Sequence, residues 1–332
     1  MRLLRLALVL ICAAAQRQIT APSGLSCNDS APHLPQQLHG NPPERRAAGF
    51  YSQHGQDRYV WDRIFAPLGW PPRGERGVFV EFGARDGVVN SNSLYAERER
   101  GWTGVLIEPN TADYARLAET RANGTLKLHG GLCPPSWRGR ERDFLLVTPA
   151  EGEQCCHGWS QWVDHYNAAR DHPRNQLLDA HVASGRLTTR VVPVRCHDIN
   201  EALARLGTDR VHLLSADCEG CELDALRSLD WGRVKVDVLL VEGAALACPR
   251  DAAGGADVED TGEPSLHRFL ARKRFYAVDA RTSDTIYVHA RVLAELAIRA
   301  LADERGAGAG DRKRKRRRPR RRLSRLVNGV FS

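Results

Sequence analysis

The sequence predicts an α/β fold in which helices flank a doubly wound, mostly parallel β-sheet. Two apolar runs, VFVEFGARDG at residues 78–87 and GVLIEPN at residues 104–110, each end in an acidic residue and a turn. Strand-like apolar runs then alternate with helix-like stretches, which is the pattern of repeated β–α–β units. At 332 residues and 42% hydrophobic content, the chain is long enough to bury one large core.

The strands and helices follow from this alternation in chain order. We predict strands at 77–83, 103–108, 125–129, 211–217 and 236–242, and a closing hairpin at 275–279 and 285–290. We predict helices at 55–66, 91–100, 111–122, 198–207 and 221–229. Asp198 is the predicted N-cap of the fourth helix, with Glu201 three residues further on.

The stretch from Cys133 to Arg190 interrupts the alternation and has no clear period, so we predict an irregular insertion at about 133–190. Its aromatic residues argue against disorder. A long insertion in a compact domain usually serves as a lid or a substrate wall. We therefore expect Trp159 or Trp162 to offer a stacking surface to a bound ring.

The two ends of the chain differ in composition from its centre. Residues 1–15 place Arg2 and Arg5 before a short apolar run that ends in alanines, which is typical of a secretory signal peptide. A signal-anchor and an organellar transit peptide are the alternatives, and we expect no other membrane span. A linker at 16–49, a domain at 50–290, a helix at 291–304 and a disordered basic tail at 305–332 complete the predicted organisation.

Positive charge is concentrated in the tail. Residues 312–325 (Arg312 to Arg325) carry eleven basic residues, and without them 37 Lys and Arg face 40 Asp and Glu. Such a block of like charges favours a polyanion partner, namely a sulfated glycan, an anionic lipid or a nucleic acid. The block also resembles a nuclear-localisation signal, which conflicts with a signal peptide.

Cysteine usage favours an oxidising compartment, and hence secretion over an organellar or nuclear location. Eight cysteines remain once Cys12 is removed with the signal, and an even count suits disulfides. Sequons at Asn28 and Asn123 would be glycosylated there. Cys218 and Cys221 form a C-x-x-C pair, but no second pair completes a zinc site. We expect a buried pair or a disulfide, and no metal.

The first two motifs predict a nucleoside site. Glu81, Gly83, Asp86 and Gly87 occupy the loop after the first strand, where ligands bind to open α/β sheets. The second strand ends in Glu108, placed to accept hydrogen bonds from ribose hydroxyls. The loop is not G-x-G-x-x-G, so a cofactor without a pyrophosphate fits best, and we predict S-adenosylmethionine (SAM). An ordinary strand-to-helix turn is the alternative reading.

A third motif, LLSADCEGCE at residues 213–222, places several carboxylates at another strand end. Asp217 and Glu219 are the predicted catalytic residues, with Asp217 as general base and also near the cofactor. The alternative is that they only cap the following helix.

Five motifs in order, YSQHGQD (51–57), VFVEFGARDG (78–87), SNSLYAER (91–98), GWTGVLIEPN (101–110) and LLSADCEGCELDAL (213–226), resemble the FkbM-type SAM-dependent methyltransferases. The resemblance spans roughly residues 50 to 290 and implies a class I, seven-stranded Rossmann-like methyltransferase sheet. It also implies that Gln56 and Asp57 lie close to the cofactor. Arg85 and Cys218 depart from the family pattern, which commonly has Asn and an aliphatic residue there.

The resemblance further implies methylation of a hydroxyl oxygen on a small-molecule, sugar-like or secondary-metabolite acceptor. Two alternatives come from the tail and from Arg85. One is a catalytically inactive methyltransferase fold that binds polyanions, and the other is a nucleic-acid methyltransferase.

Overall fold

The computed structural model describes residues 49–153, 158–242, 266–281 and 284–310. The predicted signal peptide, almost all of the linker and the basic run Arg312–Arg325 therefore lie outside the described residues. None of the described helices is long and apolar enough to cross a membrane.

Strands and helices alternate along the described chain. The strands are β1 Val78–Phe82, β2 Thr103–Glu108, β3 Leu126–His129, β4 Gly131–Leu132, β5 Glu141–Pro149, β6 Gln161–Trp162, β7 Leu187–His197, β8 Arg210–Ala216, β9 Lys235–Glu242, β10 Phe275–Arg281 and β11 Asp284–His289. The helices are α1 Gln56–Val60, α2 Leu94–Arg100, α3 Thr111–Thr120, α4 Val163–Ala168, α5 Pro173–Ala183, α6 Ile199–Arg205, α7 Glu222–Ser228, α8 Leu266–Arg272 and α9 Ala290–Gly310. A π-helical segment, Trp61–Phe65, extends α1 into a last turn at Ala66–Leu68.

A seven-stranded sheet in the order β10-β11-β9-β8-β1-β2-β3 forms the centre of the fold. Among these strands β11 alone runs antiparallel to its neighbours. Both faces are covered, because Val80 and Phe82 enter one core cluster while Phe79 and Leu106 enter the other. Burial on both faces explains the continuous apolar runs in the sequence. The predicted α/β class and its strand positions are confirmed.

The insertion is regular, so the prediction of an irregular segment at 133–190 was wrong. Strand β5 pairs antiparallel with β7 from Glu141↔Arg195 to Pro149↔Leu187, within a four-stranded sheet of order β4-β7-β5-β6. Strands β5 and β7 form a two-stranded ribbon in which much of β7 is exposed. The residues of β7 therefore do not alternate cleanly between apolar and polar. The Cys133–Cys196 disulfide links the segment after β4 to β7.

The C-terminal helix α9 is part of the domain rather than an appendage after residue 290. Val292, Leu293 and Leu296 are buried in the same core cluster as Leu68. The helix begins at Ala290 and runs to Gly310, beyond the predicted end at 304. The predicted N-cap Asp198 is confirmed, since its side chain accepts a hydrogen bond from the backbone of Asn200.

Candidate active site

The carboxyl ends of β1, β2, β8 and β9 open into one cavity of about 550 Å³. This is the edge at which ligands bind to open α/β sheets. The cavity runs from Glu108 at one end to Asp217 and Glu242 at the other, and the insertion closes one side. Among its lining residues are Gln56, Glu81, Gly83, Arg85, Trp159, Trp162, Cys218, Glu219 and Asp284.

The turn after β1 brings two strand ends into contact. Gly83 and Ala84 both donate backbone hydrogen bonds to the carbonyl of Ile107, on β2. Gly83 has φ +70°, and a Cβ atom there would lie 2.0 Å from the carbonyl oxygen of Asp217. Only glycine fits this approach, so the turn fixes the position of Asp217 relative to β1.

Glu108 ends β2 as a buried carboxylate with 4% exposure. Its oxygens accept hydrogen bonds from the backbone of Arg85 at 2.8 Å and of Asn110 at 2.7 Å. Burial raises the pKa of Glu108 to about 7, and these two hydrogen bonds oppose the rise. Each carboxylate oxygen keeps capacity for another donor, so the group is equipped to bind hydroxyls.

Glu81 lines the same cavity, but its carboxylate is committed to the protein. It accepts hydrogen bonds from the hydroxyls of Ser91 and Ser93 and from the backbone of Asn92. The buried Arg121 guanidinium lies 3.7 Å from it. Glu81 therefore holds the loop that follows β1 in shape.

Three carboxylates meet at the ends of β8 and β9. One oxygen from each of Asp217, Glu219 and Glu242 lies within 4.8 Å of the others. Glu242 is hydrogen-bonded to both Asp217 and Glu219, and Glu219 also forms an ion pair with Arg174 of α5. The guanidinium of Arg174 thus neutralises part of the cluster, and we assign none of the three as a metal ligand.

The surroundings favour the protonated forms of these groups. Burial, reinforced by the charge of Glu219, raises the pKa of Asp217 to about 8. Burial and the charge of Asp217 raise the pKa of Glu242 well above its usual value. Burial also raises the pKa of Glu219, although Arg174 opposes that rise. Closely spaced carboxylates cannot all ionise readily in a desolvated site.

A short covalent loop holds Asp217 and Glu219 in place. Cys218 and Cys221 form a disulfide, as expected for this pair. The Glu222 carboxylate accepts hydrogen bonds from the backbone of Cys218 at 3.0 Å and of Gly220 at 3.2 Å. The loop between β8 and α7 is therefore fixed at both ends.

With this geometry established, the family match is decisive. Residues 81–270, more than half of the chain, match the family profile described as the methyltransferase FkbM domain. The chain belongs to the FkbM methyltransferase family. The resemblance carried by the five motifs is confirmed.

Other comparisons add little to the family match. The crystal structure of methyltransferase FkbM from Methylobacillus flagellatus KT shares 13% sequence identity with this chain, at a TM-score of 0.31. The alignment covers 70% of this chain but only 50% of that one, so the chain spans about half the length of that structure. No curated protein matches the chain. The fold assignment rests on the strand order above.

Not every residue predicted at the FkbM site reaches the cavity. Asp57, Asp86 and Gly87 do not line it. The Asp57 carboxylate accepts hydrogen bonds from Ser52 and from nearby backbone amides, and Asp86 accepts from the backbone of Val88 and Val89. Gly87 packs against α3. These three residues shape the loops behind the site, and their closeness to the cofactor stays a prediction.

Gln56 does line the cavity, at the end occupied by Asp217. It is 1% exposed, and its amide donates a hydrogen bond to Asp284 of β11. Both residues lie outside the segment that matches the FkbM profile. The site therefore draws on chain beyond that segment.

Three residues at the site were not predicted from the sequence. Glu242 had a detectable signal, because it is an acidic residue at the end of an apolar run, as Glu108 is. Asp284 and Arg174 had none, since only the hairpin and the insertion bring them to the cavity end.

The two tryptophans of the insertion differ in availability. Trp162 is 2% exposed and packs edge-to-face against Phe144 in the core. Trp159 is half-buried, and the guanidinium of Arg174 lies 5.3 Å from its ring centre. Trp159 is therefore the better stacking surface of the two.

Proposed function

We propose that this protein uses SAM to methylate a hydroxyl oxygen of a neutral, polyhydroxylated acceptor such as a sugar. The observation that carries the proposal is a single cavity joining Glu108 to the Asp217–Glu242 pair. One end of that cavity suits a ribose, and the other suits a hydroxyl that must lose its proton.

The residues at the Glu108 end fit SAM. The carboxylate of Glu108 is positioned by two backbone donors and is free to accept from ribose hydroxyls. Gly131 and Leu132 line the same cavity and offer an apolar contact to the base. Arg85, which departs from the family pattern, acts electrostatically on Glu108. Its charge therefore lies at the ribose end, away from the site of methyl transfer.

Methyl transfer needs alignment and a proton acceptor. When bound here, SAM supplies a methyl group on a sulfonium, so transfer forms a C–O bond, breaks the S–C bond and leaves a neutral thioether. Asp217, ionised above its pKa of about 8, takes the proton from the acceptor hydroxyl. Trp159 and the other cavity walls orient the acceptor, and orientation is the larger contribution in such reactions.

The charge at this end of the cavity favours a neutral acceptor over an anionic one. Asp217, Glu219, Glu242 and Asp284 line it together. Arg174, which pairs with Glu219, is the cation that acts on Asp217 and Glu242. An acidic sugar or a phosphate would be repelled by Asp217 in the ionised form in which it acts as the base.

We also propose that the protein works in an oxidising, secretory compartment and binds a polyanion through Arg312–Arg325. Two disulfides support the compartment, and eleven basic residues within fourteen positions support the partner. Heparin affinity of the full chain, compared with a chain ending at residue 311, tests the second proposal.

The deciding experiment is calorimetric titration of the full chain with SAM, followed by a screen of neutral monosaccharides for transfer of a labelled methyl group. We expect binding in the micromolar range that Glu108→Ala removes and the exposed control Glu119→Ala retains. Label on a sugar hydroxyl would support the acceptor class. Absence of SAM binding in a folded protein would overturn the proposal.

A further inference from the structure

The hydrogen bond between Asp217 and Glu242 requires a proton, because two ionised carboxylates have acceptors and no donor. Strand pairing creates this contact. Strands β8 and β9 are parallel neighbours, and Ala216 pairs with Val241. The next residue on each strand is one of the two acids, so they leave the sheet side by side.

The groups around the pair decide where the proton resides. Negative groups that act on it are Glu219 and Glu222 of the loop and helix after β8, and Asp284 of β11. The positive group is Arg174 of α5, which is already paired with Glu219. This excess of acidic groups disfavours two negative charges on Asp217 and Glu242.

The hydrogen bond between the two acids has opposite effects on their pKa values. Burial and the charge of Glu219 raise the pKa of Asp217, whereas the hydrogen bond from Glu242 lowers it. For Glu242, burial is reinforced by the charge of Asp217 and by the same hydrogen bond, so its pKa rises further. These opposite effects correspond to Glu242 as the donor of the hydrogen bond and Asp217 as its acceptor.

We propose that Glu242 is a neutral carboxylic acid whose hydroxyl donates a hydrogen bond to the carboxylate of Asp217. Glu242 is thus a positioning residue, which holds the base toward the acceptor and carries no charge during turnover. The effect of Glu242 on turnover rests on the proposed function, whereas the protonation of Glu242 does not depend on that function. Glu242 ends a strand, and Gly83 fixes the backbone of Asp217, so the pair has little freedom to separate.

Infrared difference spectroscopy of the full chain tests the protonation without SAM or an acceptor. At pH 9, above the pKa of Asp217, wild-type protein should retain a carboxylic acid band that is absent from Glu242→Gln. The exposed control Glu201→Gln should leave the band in place. A pH 9 spectrum that Glu242→Gln does not change would overturn the proposal.

Turnover with a sugar found in the screen supplies the second readout. A glutamine amide also donates to Asp217, so Glu242→Gln should restore most of the activity lost in Glu242→Ala. We expect the alanine variant to lose on the order of 10- to 100-fold, because the base is no longer oriented. Turnover of Glu242→Gln should still rise through about pH 8, the pKa of Asp217, whereas the rise for Glu242→Ala should move to higher pH because the hydrogen bond that lowers this pKa is lost. Equal losses in the two variants would overturn the proposal, since they would mean that Glu242 acts as an anion, as in binding a cation.

If Glu242→Ala does not fold, the infrared comparison of wild type with Glu242→Gln still decides. If no acceptor is found, the infrared result stands apart from the failure of the proposed function.

Discussion

A Cβ atom at Gly83 would lie 2.0 Å from the backbone carbonyl oxygen of Asp217. The turn after β1 and the loop that carries Asp217 therefore touch through a position that tolerates no side chain. We expect Gly83→Ala to destabilise the fold by about 1–3 kcal/mol through overpacking and positive φ, and to displace Asp217. Urea unfolding and labelled methyl transfer measure the two effects. Gly124→Ala, which meets open space, should be nearly neutral, and equal behaviour of the two variants would contradict this account.

Affinity for SAM should depend on pH through Glu108. The pKa of this group is raised by burial to about 7, and ribose hydroxyls bind its ionised form. Below pH 7 a proton must leave before binding, so Kd should increase by about tenfold per pH unit. Calorimetry between pH 5.5 and 8.5 measures the slope. Glu108→Gln should bind weakly with no slope, and a pH-independent wild-type affinity would remove Glu108 from the ribose site.

Stability should depend on pH through Asp217. Its folded pKa is about 8, against about 3.9 in an unfolded chain. Between these values the folded state holds a proton that the unfolded state has released. The stability that Asp217 contributes is therefore complete below pH 4 and is lost as pH rises to 8, at up to about 1.4 kcal/mol per unit. Asp217→Asn removes this loss, so the variant should gain on wild type between pH 5 and pH 8. Urea unfolding at pH 5 and at pH 8 measures the free energy of unfolding of both proteins. The same difference between variant and wild type at the two pH values would contradict the prediction.

Removing Arg121 should damage the fold severely. Its guanidinium is fully buried, 2.8 Å from Glu97 and 3.7 Å from Glu81. Burial alone would raise the pKa of Glu97, but Arg121 brings it below its usual value. Arg121→Met leaves both acids buried without that cation, at a cost of about 3–5 kcal/mol.

The control for Arg121 is Arg58→Met, which breaks an exposed ion pair with Asp62 and should cost less than about 1 kcal/mol. Guanidinium unfolding compares the two variants. Similar losses of unfolding free energy in both variants would show that Arg121 is not the charge that stabilises the buried carboxylates of Glu81 and Glu97.

The two disulfides should differ in their effects. Cys133–Cys196 spans 63 residues and Cys218–Cys221 spans 3. Chain entropy then predicts stability losses of about 4 and about 2 kcal/mol for the respective double serine variants. The short disulfide holds the loop bearing Asp217, so its removal should reduce methyl transfer more than removal of the long one. Thermal unfolding and turnover test this, and the opposite ranking of activities would contradict it.

The local pattern of the chain was enough to predict the parallel sheet. Strands buried on both faces give continuous apolar runs, and their order along the chain fixed the positions of Glu81 and Glu108. The ribbon formed by β5 and β7 was missed because its exposed face weakens the alternation. The position of Asp57 and Asp86 outside the cavity lining could not be predicted, because sequence gives no side-chain direction.

The sequence was sufficient to predict an FkbM-type α/β domain, with a carboxylate at the end of its second strand and an acidic loop after a later one. These features depend on residues that are close along the chain, so periodicity and motif spacing are enough to predict them. Three contacts became visible only in the folded chain: Glu242 with Asp217, Arg174 with Glu219, and Asp284 beside this cluster. Those contacts join residues distant in sequence, and their protonation depends on burial, which no local pattern encodes.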